Sequence, residues 1–232
     1  MRLVLFDCDG TLADSFGLIV ETMMRCFASA GLPAPTQEAV RGIIGVSLDL
    51  AIHRLAPTLR AEELPVVVDI YRREFHAARA EAAYAERLFD GAEALLRSLA
   101  LRDDVVLGMV TGKSRRGVRL VVEAHGLDGL FHVARTADDC PSKPHPAMVL
   151  ECCAQTGISP AATVVVGDAL YDMQMAKSAG AHAIGVTWGA LDAGGLSLAG
   201  ADRVAETMGG LAMLLDAWLE EPQPEIIVAV PG

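Results

Sequence analysis

A chain of 232 residues, 52% of them hydrophobic, is long enough to bury a sizeable core and corresponds to roughly one to two domains. No run of about eighteen apolar residues occurs, and the apolar stretch before Asp7 is short, so neither a membrane span nor a signal peptide is expected and the expected location is the cytoplasm. A formal net charge of −11 argues against nucleic acid or an anionic membrane as partner, but not against a small anion held by a local field. The five cysteines form an odd set without a Cys-x-x-Cys pair, which fits a reducing compartment.

The first apolar run, Leu3 to Phe6, reads as a short buried strand and delivers the segment DCDGTLADS at residues 7 to 15. Alternation in extended backbone turns Asp7 and Asp9 one way and Cys8 the other. Two acids in one place are unfavourable unless a cation neutralises them or one keeps a proton. Gly10 permits a sharp turn, and either Asp14 or Ser15 is placed to cap the next helix. Residues 15 to 30, 36 to 43, 47 to 56 and 62 to 82 then carry apolar residues at helical spacing, punctuated by Gly31, Pro33, Pro35 and Pro57. About a hundred residues separate the first run from the next, Val105 to Val110, which is too many for one crossover helix. A helical insertion at residues 14 to 82 is expected, with residues 1 to 13 and 83 to 232 forming the core and Leu88 to Gly91 marking the return to the sheet.

Further β-branched runs follow at Thr163 to Val166 and Ala183 to Val186. Helical patterns lie between the runs: Ser114 to His125, Pro146 to Thr156 and Leu170 to Ala179, each followed by a glycine. Alternating strands and helices predict an α/β fold, a doubly wound, mostly parallel Rossmann-like sheet carrying an inserted helical cap. The last segment, PQPEIIVAVPG, reads as either a tail or an added edge strand.

Ligands of open parallel sheets bind at the carboxyl ends of the strands. Those ends offer Asp7 and Asp9, then Thr111, then Gly167 and Asp168, with Lys143 arriving in the loop before a helix. Asp168 and Asp172, four apart, fall around the first turn of the following helix. Such a cluster of acids requires a counter-ion, and oxygen-only donors point to magnesium over zinc.

Four segments, DCDGTLADS, VTGKS at 110 to 114, SKPHP at 142 to 146 and GDALYDMQMA at 167 to 176, resemble the ordered motifs of the haloacid dehalogenase superfamily. The resemblance spans residues 1 to about 190 and is closest to phosphoglycolate phosphatase-like members with a helical cap. It implies a magnesium-dependent phosphatase acting on a small phosphorylated metabolite, with phosphoglycolate the first expectation. Asp7 would attack phosphorus and form an aspartyl-phosphate, and Asp9 would protonate the leaving oxygen and later activate water. Thr111 and Lys143 would hold phosphoryl oxygens. Magnesium would take the Asp7 side chain, the Asp9 main-chain carbonyl and Asp168, with Asp172 supporting the metal or orienting Lys143.

Gly112, Lys113 and Ser114 do not complete a nucleotide-binding P-loop, because Leu107 stands where its first glycine belongs. Lys113 either approaches a substrate phosphate or is a solvated lysine at a helix start. Gly45, in a break between cap helices, is the expected specificity loop, with Gly112 and Lys113 as further substrate contacts. Cys8 is expected as a buried apolar residue and His145 as a surface or capping one. The residues 14 to 112 contain no lysine, which excludes a cap Schiff base. A β-phosphoglucomutase-like phosphotransferase and a non-enzymatic phospho-aspartate switch or binding module are the alternatives. The oligomeric state is left between monomer and homodimer.

Overall fold

The computed structural model describes residues 1–222. In chain order the elements are β1 (Arg2–Phe6), β2 (Ala13–Asp14), α1 (Phe16–Ser29), α2 (Gln37–Arg41), α3 (Leu48–Leu55), α4 (Leu64–Arg79) and β3 (Arg87–Leu88). They continue with α5 (Ala92–Ala100), β4 (Val105–Val110), α6 (Arg115–Ala124), β5 (Val133–Arg135), α7 (Ala147–Thr156) and β6 (Thr163–Gly167). The last are α8 (Leu170–Ala179), β7 (His182–Val186), α9 (Ala193–Ala199), β8 (Arg203–Ala205) and α10 (Met208–Glu220). Most of the PQPEIIVAVPG segment lies outside the described residues.

Six strands form one sheet in the order β5-β4-β1-β6-β7-β8, every pairing parallel. The predicted α/β architecture with inserted helices is the observed one. The two edge strands, β5 and β8, were not expected, being three residues each and too short for periodicity to register. β1 is central, and its five residues are all buried. Full burial of side chains such as Leu5 and Phe6 contributes about 1.5–3 kcal/mol each.

The two faces of the sheet explain which loops reach Asp7. Val4, Phe6 and Cys8 pack into the core on the side of α5, α6 and α10, whereas Leu3 and Leu5 pack on the side of α7 and α8. By parity Asp7 belongs with Leu3 and Leu5. It therefore points toward the loops that start α7 and α8.

The cap helices α1 to α4 lie between β2 and β3, and α1 packs against α4 around a separate core that includes Met23, Phe27, Ile52 and Ile70. β2 and β3 pair antiparallel, Ala13 with Leu88 and Asp14 with Arg87. The chain after the cap thus returns to a two-stranded ribbon, and Asp90–Gly91 leads into α5 rather than to the sheet. The ribbon ties the outgoing and incoming linkers side by side. Two-residue strands carry no sequence period, so this ribbon was invisible beforehand.

Candidate active site

Asp7 follows the last residue of β1, and its backbone N–H donates to Val166 O at 2.9 Å. Phe6 sits beside Met109 on one flank and Val166 on the other, so the ends of β4 and β6 lie on either side of Asp7. Asp7, Thr111, Lys143, Asp168 and Asp172 are all essentially buried. Asp7, Asp168 and Asp172 each offer an oxygen, and these atoms lie within 4.8 Å of one another.

Lys143 is the buried cation of this group. Its Nζ donates to Asp172 Oδ1 at 2.6 Å and stands 2.7 Å from Asp7 Oδ1 in an ion pair without hydrogen-bond geometry. The other Asp172 oxygen accepts the Ala169 N–H at 3.0 Å, at the first turn of α8. Both Asp172 oxygens are therefore engaged in holding Lys143 and the helix start. Asp168 Oδ1 accepts from the Thr11 hydroxyl at 2.8 Å and Oδ2 from the Ala190 N–H at 2.8 Å. Gly10, at φ +87°, and Gly189 pass so close to the Asp168 carboxylate that neither position has room for a side chain.

Asp7 is the exception among these carboxylates: neither of its oxygens has a hydrogen-bond partner among the described residues. Burial pushes its carboxyl up from the ordinary range, Lys143 opposes the rise, and the charges of Asp172 and Asp9 add to it. Burial, with the charges of Asp172 and Asp7, also holds Asp168 well above its ordinary value. Burial pulls the Lys143 ammonium down, but Asp172 and Asp7 outweigh it and keep it protonated. The cluster is short of positive charge. Hard oxygen donors, an orphaned carboxylate and that deficit fit a divalent cation held by Asp7 and Asp168.

Asp9 is near enough for its charge to act on Asp7, but its carboxylate has partners of its own. The strand ends at Phe6 and the chain turns at Gly10, so parity no longer governs Asp9. Its Oδ1 accepts from the Ser15 hydroxyl at 2.7 Å and from Lys113 Nζ at 2.7 Å. Each acid of the pair thus has its own lysine. Ser15 stands at the N-cap position of α1 but makes no side-chain cap bond, because its hydroxyl serves Asp9. The Asp9 carboxylate is outside the three-aspartate cluster.

Lys113 is neither solvated nor free. Its side chain is 7% exposed and also donates to Glu86 Oε1 at 2.7 Å. Glu86 itself is 2% exposed at the side chain and lies 3.7 Å from Arg79 at the end of α4. Nothing in the sequence signalled Glu86, which joins the cap linker to Asp9 through one lysine. The Thr111 hydroxyl accepts the Lys113 N–H at 3.2 Å. Gly112 abuts the cap: a Cβ there would meet Val46 O at 2.5 Å and Gly45 O at 2.6 Å. Gly45 has φ +103°, a conformation that favours glycine.

Cap and core touch at two further places that sequence reasoning missed. The Ser47 N–H donates to Ser142 Oγ at 2.8 Å, one residue before Lys143. Arg54 stacks on the Tyr171 ring at 4.9 Å and donates to its hydroxyl at 2.5 Å, one residue before Asp172. Cys8 is buried and its thiol is pushed well up by burial, so it serves as packing and not as a nucleophile. His145 Nδ1 accepts the Ala147 N–H at 3.2 Å, the expected capping role.

A buried acid cluster at the carboxyl edge of a parallel sheet, under a helical cap, defines a Rossmann-like hydrolase. Residues 4–186 match the family described as haloacid dehalogenase-like hydrolase, and the chain belongs to that family. It is 33% identical over 196 residues to a probable phosphatase IndB of Dickeya dadantii, covering 81% of each chain. It is 32% identical over 222 residues to a phosphoglycolate phosphatase of Chromobacterium violaceum, covering 93% of this chain and 96% of that one. The solved structure of a hydrolase from Pseudomonas syringae superposes with a TM-score of 0.83 at 26% identity, over 94% of this chain and 99% of that one. The protein is an enzyme of the hydrolase class related to phosphoglycolate phosphatases. No helix among the described residues is long and apolar enough to cross a membrane.

Proposed function

We propose that the protein is a magnesium-dependent phosphomonoesterase that works through an aspartyl-phosphate on Asp7. The observation that supports this most is the state of Asp7: buried, with no backbone or hydroxyl donor on either oxygen, and flanked by a buried lysine 2.7 Å from Oδ1 and two more acids. A structural aspartate would have its oxygens satisfied. A nucleophile keeps a lone pair available.

In the first step an Asp7 oxygen forms a bond to phosphorus while the bond to the ester oxygen breaks. The electron pair leaves on that oxygen, which takes a proton from Asp9. In the second step water attacks phosphorus, gives its proton to the Asp9 carboxylate, and the bond to Asp7 breaks with its electrons returning to the carboxylate. Lys143 and Thr111 hold the phosphoryl oxygens and lower the charge repulsion between dianion and nucleophile. Asp172 keeps the Lys143 ammonium in place. Bound magnesium, held by Asp7 and Asp168, supplies the positive charge that keeps Asp7 ionised and offsets that of the phosphoryl group. An arriving phosphate competes for Lys113, and this frees Asp9 Oδ1 to face the leaving oxygen.

On this reading residues 14–82 act as the cap and residues 1–13 with 83 onward as the catalytic core. Closure over the site limits water until the second step. Relatives named phosphoglycolate phosphatase make phosphoglycolate the reference ester. The test is phosphate release from a panel of phosphorylated metabolites with and without magnesium, with Asp7→Asn as the blank. Release that requires magnesium and Asp7 is expected; release by Asp7→Asn equal to wild type would overturn the assignment.

A further inference from the structure

A cavity of about 650 Å³ lies between cap and core, with Asp9, Gly112 and Lys113 on its catalytic side. Its cap wall is mainly apolar, with Ile19 and Met23 from α1, Ile44 and Val46 from the loop before α3, and Tyr71 and Phe75 from α4, while Asp49, Arg72 and His76 stand at its exposed rim. The Tyr71 and Phe75 rings stack at 6.1 Å between centroids. This size and lining are those of a pocket that encloses a drug-sized organic group. A two-carbon carboxylate such as glycolate, five heavy atoms, would fill only about 150 Å³ at roughly 30 Å³ per water-sized group.

The charges argue the same way. Lys113 is the buried cation of the lining, and it is already shared by Asp9 and Glu86, each at 2.7 Å. Arg72 and Arg116 also line the cavity but are solvent-exposed, as are Asp49 and Asp138 beside them. Arg72 is paired with Asp69 as well. Among the described residues, no buried cation of the lining is left to meet a second anionic group on the leaving alcohol. A carboxylate set against the inner wall of Met23, Tyr71 and Phe75 would be desolvated without a buried counter-charge beside it.

We propose that the substrates are phosphate monoesters of an uncharged, mainly apolar alcohol of aromatic or branched-alkyl character, and not of a small hydroxy acid. This rests on the phosphatase reading above. The phosphoryl group sits at Asp7, the leaving oxygen faces Asp9, and the body of the alcohol fills the space against Met23, Tyr71 and Phe75. Lys113 supplies charge to the phosphate and none to the far end of the substrate.

The test is calorimetric binding of two non-hydrolysable phosphonates to the wild-type protein with magnesium: benzylphosphonate and phosphonoacetate. At least tenfold tighter binding of benzylphosphonate is expected. Equal affinities, a preference for phosphonoacetate, or no binding of benzylphosphonate would overturn the proposal while leaving the phosphatase reading standing. The Phe75→Ala variant should narrow the ratio at least threefold, and an unchanged ratio counts against the aromatic wall. Turnover is scored separately, on phenyl phosphate and phosphoglycolate. Release of phosphate from neither ester, nor from any other in the metabolite panel, sinks the phosphatase reading and this proposal with it.

Discussion

The floor of the site and its roof are built on opposite principles. The floor is charged and locked: Lys143 in the loop before α7, Asp168 after β6 and Asp172 in the first turn of α8 are buried and held by short contacts. The roof is apolar, stands on its own core, and meets the floor through a handful of contacts at Ser47, Arg54 and the Gly45–Val46 turn. Chemistry needs atoms placed within fractions of an ångström, which parallel strand ends provide. On the proposed function, selectivity falls to a surface that can part from the floor to admit and release, a role suited to a helical cap on a two-stranded ribbon.

The sharpest break of that division comes from the floor. Asp7→Asn should lower turnover by at least about 10⁴-fold, as loss of a nucleophile does, with an unchanged circular dichroism spectrum. Near-normal rates would move the nucleophile elsewhere. Lys143→Ala leaves Asp7 and Asp172 buried without their counter-charge and should destabilise the protein by about 3–5 kcal/mol in denaturant titrations. A comparable loss from any single cap contact would erase the distinction between floor and roof.

Removing magnesium should abolish activity, and restoring it at about 100 times its Kd should raise stability by about 2.7 kcal/mol, read as a shift in Tm. Asp168→Asn should shrink that shift. Gly112→Ala touches the seam itself: the added methyl meets Val46 O and Gly45 O and forces the cap turn away. About tenfold loss in kcat/KM is expected from such a displacement, with little change in Tm, because the core beneath is untouched. The smallest effect belongs to Tyr171→Phe, which removes only the hydroxyl that Arg54 contacts at the exposed rim. Its change in stability should stay within about 0.5 kcal/mol.

Reading the residue after each apolar run worked for the floor because parallel strands end along one edge, so sequence-distant loops become neighbours by topology alone. The same reading stopped at three runs. Carried on past Thr187 after the fourth, it would have reached Trp188, Gly189 and Ala190, which carry the donor to Thr11 O and the backbone that closes around Asp168. Alternation served Asp7 and Cys8, just past the strand, but did not foretell the partners of Asp9, which Lys113 and Ser15 hold. Glu86 and Tyr171 had no pattern to betray them. Glu86 lies in a linker of no periodicity, and Tyr171 sits in α8, whose own sequence says nothing of the cap it reaches.

By itself the chain determined the four central strands of its sheet, its inserted helices and the family to which its strand-end motifs belong, since these rest on periodicities of two and 3.6 residues and on short local segments. Only the tertiary structure decided which lysine pairs with which aspartate, that Asp7 among the clustered carboxylates is left without a backbone or hydroxyl donor, and that the cap wall facing Asp9 is mainly apolar. Pairing and cavity shape arise between residues tens to more than a hundred positions apart, such as Lys113 with Asp9 and Arg54 with Tyr171. No local period records such distances; packing sets them once the sheet and cap have closed on each other.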